Sequence, residues 1–244
     1  MKLYLASTAT RPRLMDKYTP LYVLESFYYI APWQVKMIPT WKGFLLDSGA
    51  FTFMTHSHAS KGVDFDAYLD KYIAFIKRNN IKQFFELDVD CVVGYGKVLE
   101  MRRRLEKETG TKCIPVWHKS RGLEEWKKLT AEYSYVAIGG FVTKEIKPSE
   151  YKFLPQLLKI ARQNGCKVHG LGFTSRVAFG LDLYSVDSSN WTFSARHGGV
   201  EYFDGQKMVR VRTPSGKRTV DYKVRDEFIL QEYIKFQKYL DKRG

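Results

Sequence analysis

The run Leu183-Tyr184-Ser185-Val186-Asp187-Ser188-Ser189-Asn190-Trp191 carries a short apolar, β-prone stretch into an aspartate followed by small, turn-forming residues. A carboxylate at the C-terminal mouth of a buried strand has this appearance. Leu45-Leu46-Asp47-Ser48-Gly49-Ala50-Phe51 repeats the pattern, with Asp47 in the same place. Two such carboxylates on one pocket suit glycosidic-bond chemistry, because exchange at an anomeric carbon requires a covalent nucleophile and a partner acid or base. The competing reading of Asp187 is a helix N-cap, a position that Asp-Ser-Ser also suits.

Working outward, similar apolar runs lie at residues 3–7, 44–47, 84–88, 114–118, 135–139, 168–172 and 184–187. Helical patterns separate most of them. Phe65, Leu69, Tyr72 and Ile76 share one helical face, as do Leu154, Leu157, Leu158 and Ala161, and residues 99–107 and 123–131 read as further surface helices. Strand runs without polar alternation, separated by helices, predict an α/β fold with a parallel sheet buried on both faces. Polar residues and glycines recur at the C-terminal ends of the runs. This favours a (β/α)8 TIM-barrel-like architecture with its active site at that face, the eighth strand falling near residues 191–195.

After Gly198 the pattern changes. Residues 200–203 and 208–212 flank Asp204-Gly205, which predicts an appended hairpin within residues 199–220. Between Lys207 and Arg225 there are seven Lys/Arg and only Asp221 as an acid, so the hairpin is a candidate polyanion contact or else a solvated surface. A closing helix follows, its apolar face marked by Ile229, Tyr233, Phe236 and Leu240. No linker or repeat divides residues 1–244, which are read as a single domain.

Forty Lys+Arg against 26 Asp+Glu give a formal charge of +14, a field that attracts polyanions, nucleic acid first among them. Cys91, Cys113 and Cys166 are widely spaced, which suggests neither a disulfide framework nor a cysteine zinc site and fits a cytoplasmic setting. No signal-peptide pattern opens the chain, and no apolar run reaches membrane-spanning length. Tyr28, Tyr29 and Trp33 are candidates for a homodimer or partner-subunit face, or for covering the barrel bottom.

Several strand ends also match a family pattern. Asp47-Ser48-Gly49-Ala50-Phe51 resembles the Asp-Ser-Gly-Gly-aromatic motif of the tRNA-guanine transglycosylases, and Ala137-Ile138-Gly139-Gly140-Phe141 resembles their Gly-Gly-Leu base-binding loop. His169-Gly170-Leu171-Gly172 resembles their Leu-Met-Gly strand, and Asp187 falls where they have a nucleophilic aspartate. The resemblance runs from about Asp47 to Asp187 and is carried by the order and spacing of the motifs. It implies a (β/α)8 barrel that exchanges guanine for a 7-deazaguanine such as preQ1, preQ0 or queuine.

Carried over, the resemblance implies that Asp187 attacks C1′ and that Asp47 relays protons. Phe51 would stack on the base, unless it is a plain core residue, and Asp88 would accept hydrogen bonds from the guanine edge. Ser48, Gly139, Gly140 and Leu171 fall within the base-binding motifs, the glycines permitting close backbone approach or simply a turn. Which of Asp88 and Asp90 faces the pocket stays open, and a Mg²⁺ or Ca²⁺ site there is a minor alternative. His118 stands where the family more usually has a glutamine that binds the base carbonyl. Imidazole can donate a hydrogen bond there, and a surface histidine is the competing reading. Arg196 stands near the family's polynucleotide contact.

The zinc motif of tRNA-acting members, Cys-x-Cys-x-x-Cys plus His, has no counterpart, and His56, His58, His169 and His197 do not supply one. No metal or cofactor is expected. The resemblance therefore points to the compact DNA-modifying members of phage and bacterial origin, and to the host cytoplasm if the gene is a phage's. DNA is the preferred polymer, with tRNA the alternative and a free 7-deazaguanine as co-substrate. Lys207, Arg210, Arg212, Lys217 and Arg218 are the remaining candidate nucleic-acid contacts. An N-glycoside hydrolase on the same barrel, or a non-catalytic nucleic-acid-binding protein, are the rival readings.

Overall fold

In the computed structural model, which describes residues 1–55, 62–173, 175–192, 199–212 and 221–243, the apolar runs become parallel strands packed on both faces. They are β1 (Lys2–Ala6), β2 (Tyr22–Ser26), β3 (Gly43–Asp47), β4 (Val116–Trp117), β5 (Tyr135–Ile138), β6 (Lys167–Gly170) and β7 (Ser185–Ser188). Their order in the sheet is β3-β2-β1-β7-β6-β5-β4, so the first strand pairs with both the second and the last. Lack of alternation in the sequence has its cause here. Leu3 and Leu5 of β1 join the large core cluster under the helices, whereas Tyr4 joins a smaller cluster with Tyr22, Leu45, Phe85, Ile114 and Tyr135 on the other face.

The sheet is curled. The His169 ring meets Tyr4, Phe85 and Tyr135 at centroid distances of 6.1, 5.4 and 6.5 Å, which brings side chains from three separate parts of the sheet onto one imidazole. It is not a closed barrel of eight strands. Residues 84–88, expected as a strand, contribute two isolated parallel bridges, Leu46 with Phe84 and Phe85 with Ile114. The expected eighth strand near 191–195 is absent from its described part: Asn190–Thr192 is helical, and residues 193–195 lie outside the described residues. The strand that sequence patterning overlooked is β2, whose apolar run is short and ends in Glu25.

Helices follow the strands: α1 (Pro12–Lys17), α2 (Pro32–Met37), α3 (Ala50–Thr55), α4 (Phe65–Arg78), α5 (Asp90–Val93), α6 (Tyr95–Thr109), α7 (Gly122–Glu132), α8 (Leu154–Gln163) and α9 (Tyr222–Arg243). Asp64 caps α4 by accepting from the N–H groups of Asp66 and Ala67 at 3.0 Å each, and Gly110 at φ 67° ends α6. Helix α9 closes the N-terminal end of the sheet through Gln237, which is fully buried. Its amide donates to the carbonyls of Leu3 and Tyr22 and accepts from the Leu21 N–H. Three hydrogen bonds satisfy a polar side chain that would otherwise be costly to bury.

The expected hairpin forms from β8 (Gly199–Phe203) and β9 (Met208–Arg212), antiparallel and outside the main sheet. Its connection has four residues, 204–207, with Gly205 at φ 100°. Asp204 Oδ1 accepts from the N–H groups of Gln206 and Lys207 at 2.9 Å. Buried Glu201 bonds to Tyr233 Oη, and the Phe203 N–H donates to Glu232, which fastens β8 to α9. No helix among the described residues is long and apolar enough to cross a membrane.

Candidate active site

Parallel strands of a curled sheet end together, so the residues just past their C-termini share one mouth. Asp187 in β7 is 9% exposed. Its Oδ1 accepts from the Gly172 N–H at 2.6 Å and lies 3.2 Å from His169 Nε2. A carboxylate only accepts, so Nε2 is the protonated ring nitrogen. Nδ1 lies 2.6 Å from Ser185 Oγ, which is in turn hydrogen-bonded to Tyr135 Oη at 2.5 Å. Among the described residues, the bonds to Asp187 are made through Oδ1. The N-cap reading of Asp187 is not what these bonds describe.

Asp47 ends β3, and its Oδ2 accepts from the Gly49 N–H at 2.9 Å. Burial pushes its carboxyl up to about 6, with the charges of Asp187 and Asp88 adding to the rise and the Gly49 N–H and Ser26 hydroxyl opposing it. Some of its surface remains open to solvent. The charges of Asp187 and Asp88 thus both act on Asp47. Ser48 is buried, and its carbonyl accepts from Tyr68 Oη at 2.7 Å, which fixes the turn. Phe51 opens α3 with 44% of its surface exposed, so it is no core residue. Tyr28 and Tyr29 are also exposed, in the segment after β2, and a Cβ on Gly49 would meet Tyr28 Cβ at 2.8 Å. These two tyrosines therefore belong to the rim of the mouth and not to the barrel bottom, while Trp33 packs partly buried on the main core.

Asp88 and His118 meet, but in a way the sequence did not indicate. His118 Nε2 lies 2.6 Å from Asp88 Oδ2, and its Nδ1 lies 2.9 Å from Glu145 Oε2. Two carboxylate acceptors require both ring nitrogens to be protonated. Burial would lower the imidazole's pKa, yet the Asp88 carboxylate overrides it and raises it to about 9, with Glu145 adding to the rise. His118 thus has no N–H left for a base carbonyl, which corrects its expected role; nor is it a surface residue, at 8% exposed. Asp88 Oδ1 also accepts from Arg121 at 2.7 Å, and the same nitrogen donates to Asp90 Oδ2 at 2.7 Å. Asp90 is the first residue of α5, so strand alternation does not relate it to Asp88.

Asp88, Asp90 and His118 bring ligand-type atoms within 4.8 Å of one another. The Arg121 guanidinium already bridges the two carboxylates and lies 4.2 Å from the Tyr95 ring centre, so a cation of the protein itself balances them. Behind it, fully buried Glu86 pairs with Arg102 at 2.6 Å and accepts from the Val116 N–H at 2.7 Å.

The glycines serve this wall. A Cβ on Gly139 would lie 2.7 Å from His118 Cε1, and one on Gly140, at φ 86°, would lie 3.0 Å from Glu145 Oε2. On the side where a Cβ would stand, both glycines are packed against the protein itself. Leu171 is partly buried against the inner cluster, its N–H donating to the Ile138 carbonyl. Sequence reasoning passed over Arg121, Glu145, Ser185 and Tyr135, since a lone charged or polar residue in a loop or strand carries no local pattern.

Beside Asp187 opens a cleft of about 240 Å³ between β7, the segment 175–180, the hairpin and α9. Arg176, Lys207 and Arg210 line it together with Asp187 and Ser188. Lys207 and Arg210 are thereby placed next to the catalytic candidate. Arg196, Lys217 and Arg218 lie outside the described residues, as does the side chain of Arg212. No protein-family model and no curated protein matches the chain.

Proposed function

We propose that the protein is a zinc-independent base-exchange transglycosylase that replaces guanine in a nucleic acid, preferably DNA, with a 7-deazaguanine such as preQ0. The observation that carries this reading is the contrast between two carboxylates on one mouth. Among the described residues Asp187 is oriented through Oδ1, which leaves Oδ2 for attack, while Asp47 is raised to about 6 and can both give and take a proton near neutrality.

In the proposed reaction Asp187 Oδ2 bonds to C1′ as the C1′–N9 bond breaks, and the departing guanine takes the proton of Asp47. The incoming base loses its N9 proton to Asp47, its N9 bonds to C1′, and Asp187 leaves as a carboxylate. Configuration is retained by two inversions. Exposed Phe51, Tyr28 and Tyr29 offer flat rings for a base turned out of its stack, and the ionised Asp88 wall offers acceptors to a purine's N–H edge.

The same reading takes the fold as a (β/α)8-like barrel whose fourth strand is reduced to the bridges at Phe84 and Phe85. In its support, the Phe85 N–H donates to the Leu46 carbonyl at 2.9 Å and the Ile114 N–H to the Phe84 carbonyl at 2.8 Å, linking β3 to the chain just before β4.

The test is incubation with double-stranded DNA, single-stranded DNA or tRNA together with labelled guanine or preQ0. Incorporation of label that vanishes in Asp187→Ala is expected. Release of guanine without incorporation would establish a hydrolase instead, and no reaction on any polymer would sink the enzymatic reading.

A further inference from the structure

The cleft next to Asp187 gathers three basic side chains, Arg176, Lys207 and Arg210, around two carboxylates, Asp187 and Glu201. Arg176, in the segment after β6, and Lys207, in the hairpin connection, make no ion pair among the described residues, and both are exposed. Arg210 of β9 reaches Glu201 only at 4.0 Å, while Glu201 itself is engaged by Tyr233. Some basic side chains elsewhere pair closely with acids, as in Lys17 with Glu227, Lys112 with Glu132 and Arg121 with Asp88. Three positive groups from separate elements against two carboxylates leave the concavity with a formal excess of one positive charge, which favours an anionic ligand.

Asp187 and Glu201 formally balance two of the three positive charges, so one negative charge more completes the cleft. Size narrows the ligand. A volume of about 240 Å³ falls below the roughly 300–1,000 Å³ of pockets that hold whole drug-sized molecules. A sugar with one phosphate suits it better than a complete nucleotide. Asp47, Asp88 and Phe51 do not line the cleft, so the base would lie on the other side of Asp187.

We infer that Arg176, Lys207 and Arg210 form a phosphate site that grips the phosphodiester flanking the target nucleotide and so sets its C1′ over Asp187. This rests on the transglycosylase reading and adds to it the part of the strand that is recognised and a residue, Arg176, that sequence patterning did not single out. Arginine and lysine around one phosphate supply the charge-assisted hydrogen bonds that fix register without reading sequence.

Binding of a fluorescein-labelled single-stranded oligonucleotide, followed by anisotropy over a salt series, tests the site without any need for catalysis. The Arg176→Ala/Lys207→Ala double variant should bind about tenfold more weakly, with the log–log salt slope reduced by about 1, as removal of one phosphate contact requires. Lys207→Glu should weaken binding further. Lys128→Ala, on the exposed face of α7, should change neither quantity. Both altered side chains are exposed, so the thermal midpoint should stay put; a double variant with wild-type affinity and slope would overturn the proposal.

Inorganic phosphate and guanosine monophosphate serve as competitors. If either displaces the oligonucleotide as well as an unlabelled strand does, the site takes free phosphate and the assignment to a polymer falls. Weakened binding in the double variant, together with no base exchange by the wild-type protein, would keep the phosphate site and discard the transglycosylase reading.

Discussion

His169 and Asp187 face each other from β6 and β7, with Nε2 3.2 Å from Oδ1, and the ring's other nitrogen is held by Ser185. A fully buried imidazole between a hydroxyl and a carboxylate sets the direction of the carboxylate it touches. Replacing His169 by Gln keeps a donor of different reach. Loss of one buried hydrogen bond is worth about 1–3 kcal/mol, or roughly a five- to 150-fold fall in kcat, with KM changed less. Asp187→Asn, which keeps the shape but not the nucleophile, should abolish exchange by roughly a thousandfold or more. Steady-state incorporation assays on both variants check this. Equal activity of His169→Gln and wild type would remove the orienting role.

Asp47 predicts a pH dependence whose sign can be worked out. Its folded pKa, about 6, lies above the ordinary 3.8, so the protonated form is favoured on folding. That contribution is complete below pH 3.8 and is lost as pH rises through about 6. Asp47→Asn should therefore be more stable than wild type at pH 8, by on the order of 2 kcal/mol given its partial exposure, with the gain vanishing near pH 4. In the reaction, expulsion of guanine needs the protonated carboxyl and should slow above pH 6. Attack by the incoming base needs the carboxylate and should speed up there. Trapping of the covalent adduct against pH, in wild type and Asp47→Asn, separates the two limbs.

His118 gives the complementary case at higher pH. Its imidazolium is favoured by folding, so its contribution is complete below pH 6.5 and is lost as pH rises through about 9. Thermal unfolding should show a falling midpoint across that window, and His118→Gln should flatten the fall. His118→Ala, which leaves Asp88 and Glu145 without their shared partner, should cost about 3–5 kcal/mol.

Gly139 distinguishes a packing role from a ligand role. A Cβ there meets His118, whose ring is tethered at both nitrogens, and also comes within 3.0 Å of Val116 Cγ1. Gly139→Ala should lower stability by about 1–3 kcal/mol in the absence of any substrate. An unchanged melting curve with a raised KM would return the glycine to the base.

Much of the fold was legible because buried parallel strands and amphipathic helices repeat over many residues. Phe65, Leu69, Tyr72 and Ile76 gave α4, and the runs ending in Asp47 and Asp187 gave β3 and β7. The run at 84–88 misled because its β propensity is real but only Phe84 and Phe85 find partners, and each of them a single one. Strand β2 was missed although its register with β3 extends over five residue pairs. Pairing across the sheet decides both cases, and no local string records it.

By itself the sequence determined which residues end buried strands in carboxylates and glycines, because hydrophobic period and turn chemistry act over neighbouring residues. The net positive charge and the basic hairpin also follow from composition alone. Only the tertiary structure decided what those residues face: His118 turned onto Asp88 and Glu145, Arg121 set between Asp88 and Asp90, and Arg176 brought to Lys207 and Arg210 beside Asp187. Hydrogen bonding and charge pairing act through space between elements far apart in the chain, and the curl of the sheet chooses which of them meet.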